Sequence, residues 1–158
     1  MSASITDRLE DKLKQFPNIR YERSGDYICV PATDGSGFPV SYDGETVSYT
    51  GWHEHFGDDD ESAEGVENCF GFGISDCCRL VILKKGGAAY SWTVEELSEE
   101  GNWEVYSKTA LLFYAFWRRT TRVVLQNHHR RRKKITSEIT PSPPPDPASS
   151  PAPSSSAS

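Results

Sequence analysis

CRLVILKKGGAAYSWTVEELSEEGNWEVYSK, residues 78–108, decides the fold. Gly86-Gly87 separates two runs rich in β-branched and aromatic residues, and Glu99 to Asn102 separates the second run from a third. Tight hairpin turns require positive φ, which glycine adopts without steric cost. Tyr90, Trp92 and Val94 alternate onto one face of a strand, and Trp103, Val105 and Ser107 can oppose them on the next. Cross-strand aromatic pairs of this kind hold a register. The stretch predicts consecutive antiparallel strands.

Upstream, the same pattern recurs in IRYERS, DYICVP, FPVSY and ETVSYTG, with turn signals at Ser24-Gly25 and Asp43-Gly44. Which face of DYICVP is buried stays open, because Tyr27, Cys29 and Pro31 alternate against the equally apolar Ile28 and Val30. Two segments break the alternation. Leu9, Leu13 and Phe16 repeat at helical spacing over Ile5 to Phe16, with Thr6 as N-cap and Pro17 as the stop. Ala63, Val66, Cys69, Phe70, Ile74 and Cys77 step by three and four, and acids precede them where a helix dipole favours negative charge. Gly65, Gly71 and Gly73 lower that helix's propensity and point to close packing against a sheet. Downstream, Ala110 to Trp117 is so continuously apolar that it should enter the core or be covered on both faces. The sequence therefore predicts an α+β fold: a twisted antiparallel sheet with two helices packed on one face.

Composition divides the chain. Residues 1–127 read as a single domain of ordinary size. Residues 128–158 run from the basic HHRRRKK into a Pro/Ser/Ala-rich tail with too few apolar side chains to offset the entropy of ordering, and are expected to be disordered. The domain carries 12 Lys and Arg against 21 Asp and Glu, a balance of −9, while the tail has 5 against 2, or +3. Between Ser24 and Cys78 there are 12 acids and no Lys or Arg. Such a surface repels phosphate backbones and favours cations or basic partners, so the domain is not a nucleic-acid binder. The basic tail can make weak contacts with anions. With neither an apolar leader nor an apolar run long enough to span a bilayer, the expectation is a cytoplasmic protein without a membrane role, its four cysteines reduced.

One stretch holds candidate chemistry: GWHEHFGDDDE, residues 51–61. His53 and His55 are two apart, so in an extended segment both imidazoles project to one side. Asp58, Asp59, Asp60 or Glu61 could then complete a metal site, with Glu54 as the base of a metal-dependent hydrolase. The zinc-protease H-E-x-x-H spacing and the calcium-loop spacing are both absent, as are nucleophile-elbow and phosphate-loop motifs. The simpler reading has Trp52 and Phe56 anchoring a turn in the core while His53, Glu54 and His55 face water. On that reading the protein is not an enzyme and uses no cofactor. Its partner surface would be Trp52, Asp58, Asp60 and Glu61, together with any aromatic left exposed beside Arg118 and Arg119, foremost Trp117.

GWHEHF, followed by CFGFGISDCCRLVILKKGGAAYSWTVEE and NWEVYSKTALLFYAFWRRTTRVVLQN, resembles an uncharacterised family of small acidic bacterial proteins. The resemblance implies a cytoplasmic, single-domain bacterial protein and supplies no catalytic residue. Three functions stand as expectations. The first is an acidic interaction or regulatory module for a basic protein, with an immunity-like role as one form of it. The second is a metal-binding protein or hydrolase, and the third a small-ligand carrier with an aromatic-lined pocket between sheet and helix.

Overall fold

A computed structural model describes residues 3–57, 59–112 and 115–131. Helix α1 (Ile5–Lys14) is capped by Ser4, not Thr6: the Ser4 hydroxyl accepts from Asp7 N, and Asp7 reaches back to Ser4 N, a reciprocal capping box. Thr6 is instead buried, and its hydroxyl donates to Asp26 O at 3.0 Å, tying the helix to the first hairpin turn. Leu9 and Leu13 face the core, and the helix ends two residues before Phe16.

Five short strands follow: β1 (Glu22–Ser24), β2 (Tyr27–Val30), β3 (Val40–Tyr42), β4 (Thr46–Tyr49) and β5 (Trp52–His55). Each pairs antiparallel with its sequence neighbour in a β1-β2-β3-β4-β5 meander. Ile28 and Val30, with Val40, Tyr42, Val47 and Tyr49, turn to the core, which settles the ambiguous strand in favour of its branched residues. Helix α2 (Asp60–Gly73) lies against β3 and β4, while α1 contacts α2 and β2. Gly73 allows this approach, since a Cβ there would stand 2.4 Å from the Tyr49 ring. Gly65 meets Phe56 in the same way, whereas Gly71 has only an Arg130 side chain nearby.

The chain leaves α2 into a second antiparallel sheet of β6 (Cys78–Lys85), β7 (Ala88–Leu97), β8 (Trp103–Ala110) and β9 (Thr120–Gln126), in the order β8-β7-β6-β9. The α+β class holds, but the single sheet of the sequence reading is two, and strands outweigh helices. The physical cause is α2, which carries the chain away from the β5 edge so that β6 begins a new ladder flanked by β7 and β9. Leu80, Ile82 and Val94 join the same core cluster as the first sheet and the helices. At the junction the Trp92 ring lies on Gly51, where a Cβ would come within 2.3 Å, and Trp52 Nε1 donates to Ser107 Oγ at 3.1 Å.

Two further features depart from the sequence reading. Leu111, Leu112, Phe116 and Trp117 are exposed, at 51, 90, 73 and 73 %, not buried. β8 ends at Ala110, and the chain crosses to β9 at the open end of the sheet, where no layer among the described residues covers it; Phe113 and Tyr114 lie outside the described residues. The folded contacts also pass residue 127, since Asp76 N donates to Arg130 O at 2.9 Å and Ser75 bridges Arg130 in parallel. The tail from residue 132 lies outside the described residues.

Candidate functional site

β5 is a paired strand, not a turn: Ser48 opposes His53 and Thr46 opposes His55. Alternation therefore sends His53 and His55 to solvent and Trp52 and Glu54 to the other side. The two imidazoles do come together, with ring centroids 5.2 Å apart at 74°, and His55 Nδ1 lies 2.9 Å from the Thr46 hydroxyl. Glu54 does not join them. It is half-buried, and the Cys69 thiol donates to its Oε2 at 3.8 Å. A base on the opposite face of the strand cannot act on a ligand held by the two rings.

The proposed third ligands are no better placed. The Asp59 carboxylate is the N-cap of α2 and accepts from Ser62 N at 2.6 Å. The Ser62 side chain and backbone hold that carboxyl below the usual aspartate range. Asp58 lies outside the described residues, and Asp60 is the first residue of α2. Among the described residues, no group of three or more His, Cys, Asp or Glu side chains could hold a metal ion.

On the inner side of β5, Glu54 lines a pocket of about 390 Å³ with Phe56, Cys69, Phe72, Glu96 and Tyr106. Burial raises the Tyr106 hydroxyl, and the Glu54 carboxylate adds to the shift. Burial also pushes the Cys69 thiol up to about 12 and raises the Cys78 thiol, so both stay protonated at neutral pH and behave as small apolar groups. The sequence reading put Glu54 in water with the two histidines; strand alternation instead turns it inward, to the side opposite both rings. Glu96 and Tyr106 were not legible in the sequence, because only the packing of the second sheet brings them across. A larger cleft of about 1130 Å³ runs between α1 and the end of α2, floored by Leu9, Leu13, Phe16 and Phe70. Arg130 lies over its Phe16 ring at 5.5 Å.

Trp52 leaves the predicted partner surface: it is 1 % exposed and stacks on Tyr49 with centroids 4.6 Å apart. Trp117, Arg118 and Arg119 are exposed. Of the acid-only block, Glu67 is buried and bridged by Arg8 and Lys12. Glu45, Glu54, Asp59, Glu61 and Glu64 have no ion pair among the described residues. What fold and site define is thus an α+β protein of two antiparallel sheets with exposed acids at Glu45 and at the start of α2. No protein-family model, curated protein or solved structure matches the chain.

Proposed function

We propose that this is a non-enzymatic interaction or regulatory module whose acidic face receives a basic protein partner, in the manner of a bacterial cytoplasmic immunity protein. One observation carries the reading: the exposed acids Glu45, just before β4, and Asp59, Glu61 and Glu64, at the start of α2, have no ion pair among the described residues, while four of the five N-terminal cations, all but Arg20, pair elsewhere. Arg23 pairs with Asp7 and Glu10, Lys14 with Glu10 and Asp11, and Arg8 and Lys12 with Glu67. An acidic face of this kind accelerates encounter with a basic partner and weakens with salt. Pull-down from a bacterial lysate at low and high salt tests it, using wild type and a Glu45→Gln/Glu61→Gln/Glu64→Gln variant. A partner held at low salt, released at high salt and lost in the variant is the expected result; no difference between the two proteins refutes it.

The pocket behind β5 favours a second reading, a carrier of a small organic cation. Phe56, Phe72 and Tyr106 supply ring faces, and Glu54 and Glu96 supply charge. Thermal shift with a panel of alkylammonium and guanidinium compounds tests it, with Glu54→Gln removing any shift.

A further inference from the structure

The open end of the second sheet reverses the charge of the rest of the domain. From Val105 to Arg131 the sequence contains no Asp or Glu. Lys84 and Lys85 end β6, Lys108 lies on β8, Arg122 on β9, and Arg118 and Arg119 stand between β8 and β9. None of these six cations has an ion pair among the described residues. The register groups Lys84, Lys85 and Arg122 at this end, since Lys85 opposes Thr120, Lys84 opposes Thr121 and Leu83 opposes Arg122, whereas Lys108 opposes Thr93 nearer the middle of the sheet. The connection from β8 to β9 is fastened to the same end. Gly86 N donates to Arg119 O at 3.5 Å, Lys85 Nζ donates to Phe116 O at 3.3 Å, and Leu111 N donates to Tyr90 O at 2.8 Å. The Arg118 side chain lies over Gly86, where a Cβ would stand 2.4 Å from its Cδ.

Four large apolar side chains project from this basic collar. Leu111, Leu112, Phe116 and Trp117 are half to nine-tenths exposed, and the last two rings meet edge to face at 5.1 Å. Holding these groups in water is unfavourable, because apolar surface is better removed from water. We infer that the described residues at this strand end form a membrane-surface anchor: the Leu111, Leu112, Phe116 and Trp117 side chains enter the headgroup and upper acyl region of an anionic bilayer while Lys84, Lys85, Arg118, Arg119 and Arg122 sit at the phosphates. Tryptophan favours that boundary, and juxtaposed Lys and Arg are attracted to anionic headgroups. Charge selects this occupant. A basic protein would be repelled here, whereas anionic headgroups are attracted. Insertion to this depth needs no spanning helix, and no helix among the described residues is long and apolar enough to be one. The anchor leaves the exposed acids at Glu45 and the start of α2 free, so its failure and the failure of the interaction-module reading are separate outcomes.

Co-sedimentation of the full chain with vesicles tests the anchor, comparing phosphatidylcholine alone with phosphatidylcholine mixed with phosphatidylglycerol. The expected result is binding to the mixed vesicles, weakened by salt, and little binding to the neutral ones. Arg118→Gln/Arg119→Gln should lower partitioning by about 25-fold, at about fivefold per cation. Phe116→Ser/Trp117→Ser should abolish it at unchanged Tm, these side chains being outside the core. A blue shift of tryptophan emission on binding, absent in Trp117→Phe while that variant still binds, places the ring in the bilayer. Equal binding to both vesicles, no binding to either, or binding unaffected by the loop variants and removed by neutralising Arg131 to Lys134 overturns the inference.

Discussion

Asn127 makes the most exacting test of how this domain is closed. Its side chain is fully buried and holds three backbone groups from two distant segments. Oδ1 accepts from Phe38 N at 3.0 Å, while Nδ2 donates to Phe38 O at 2.8 Å and to Gly73 O at 3.0 Å. One amide thus joins the end of β9 to the approach to β3 and to the last turn of α2. Asn127→Asp keeps the acceptor for Phe38 N but faces a carboxylate oxygen toward two carbonyl oxygens. Two buried carbonyls lose their donors at about 1–3 kcal/mol each, so we expect a loss of about 3–5 kcal/mol at neutral pH. That is a large share of the ~5–15 kcal/mol by which a domain is stable.

The pH dependence carries the sharper signature. The new carboxyl prefers its protonated, donating form in the fold, so its folded pKa rises above the unfolded value of about 3.9. Below the unfolded pKa the charge penalty is absent. As pH rises toward the folded pKa, stability relative to wild type should fall by about 1.4 kcal/mol per unit, then level off. Asn127→Ala loses all three bonds and adds no ionisable group, so its penalty should not vary over that range. Urea unfolding of the three proteins at acid and neutral pH measures both. An Asp variant within about 1 kcal/mol of wild type at neutral pH, or equally impaired at both pH values, refutes the reasoning.

Three further outcomes follow from local geometry. A thiol reagent at mildly alkaline pH should label the half-buried Cys29 and Cys77 in the native state and reach the buried Cys69 and Cys78 only on unfolding, counted by intact mass. Gly51→Ala should lower stability by about 1–3 kcal/mol through overpacking against Trp92, read from the denaturation midpoint, whereas Gly87→Ser, with open space around it, should act only through its positive φ. Asp59 has its carboxyl held low in the folded state, so the stabilisation it gives is present above the unfolded pKa of about 3.9 and lost as pH falls through the folded value. Asp59→Asn should therefore flatten part of the acid limb of a Tm-against-pH curve, where wild type declines more steeply.

Much of the local structure was legible in residue order. Gly86-Gly87, Asp43-Gly44 and Ser24-Gly25 punctuate strands because turn geometry is a property of a few adjacent residues, and the apolar stripe of α2 shows in its spacing of three and four. Misreadings arose where a second segment had the deciding vote. Thr6 has the chemistry of an N-cap, yet Ser4 with Asp7 satisfies the helix end better, and Thr6 serves a turn twenty residues away. Ala110 to Trp117 has the composition of a core strand, but composition cannot say whether another layer lies above it. The same limit governs the site. The strand period put His53 and His55 on one side, while only the second sheet shows that Glu54 faces Glu96 and Tyr106 across a pocket.

The order of elements, their helical or extended character, the split between an acidic domain and a basic tail, and the pairing of the two histidines on one face all follow from near neighbours along the chain. Steric and periodic constraints act over a few residues, so they can be read from sequence alone. Division of the strands into two sheets, burial of Trp52, exposure of Leu112 and Trp117, and closure of the domain through Asn127 were decided only in the folded molecule. Each depends on which surfaces distant segments present to one another, and burial is a property of that meeting, not of the residue that undergoes it.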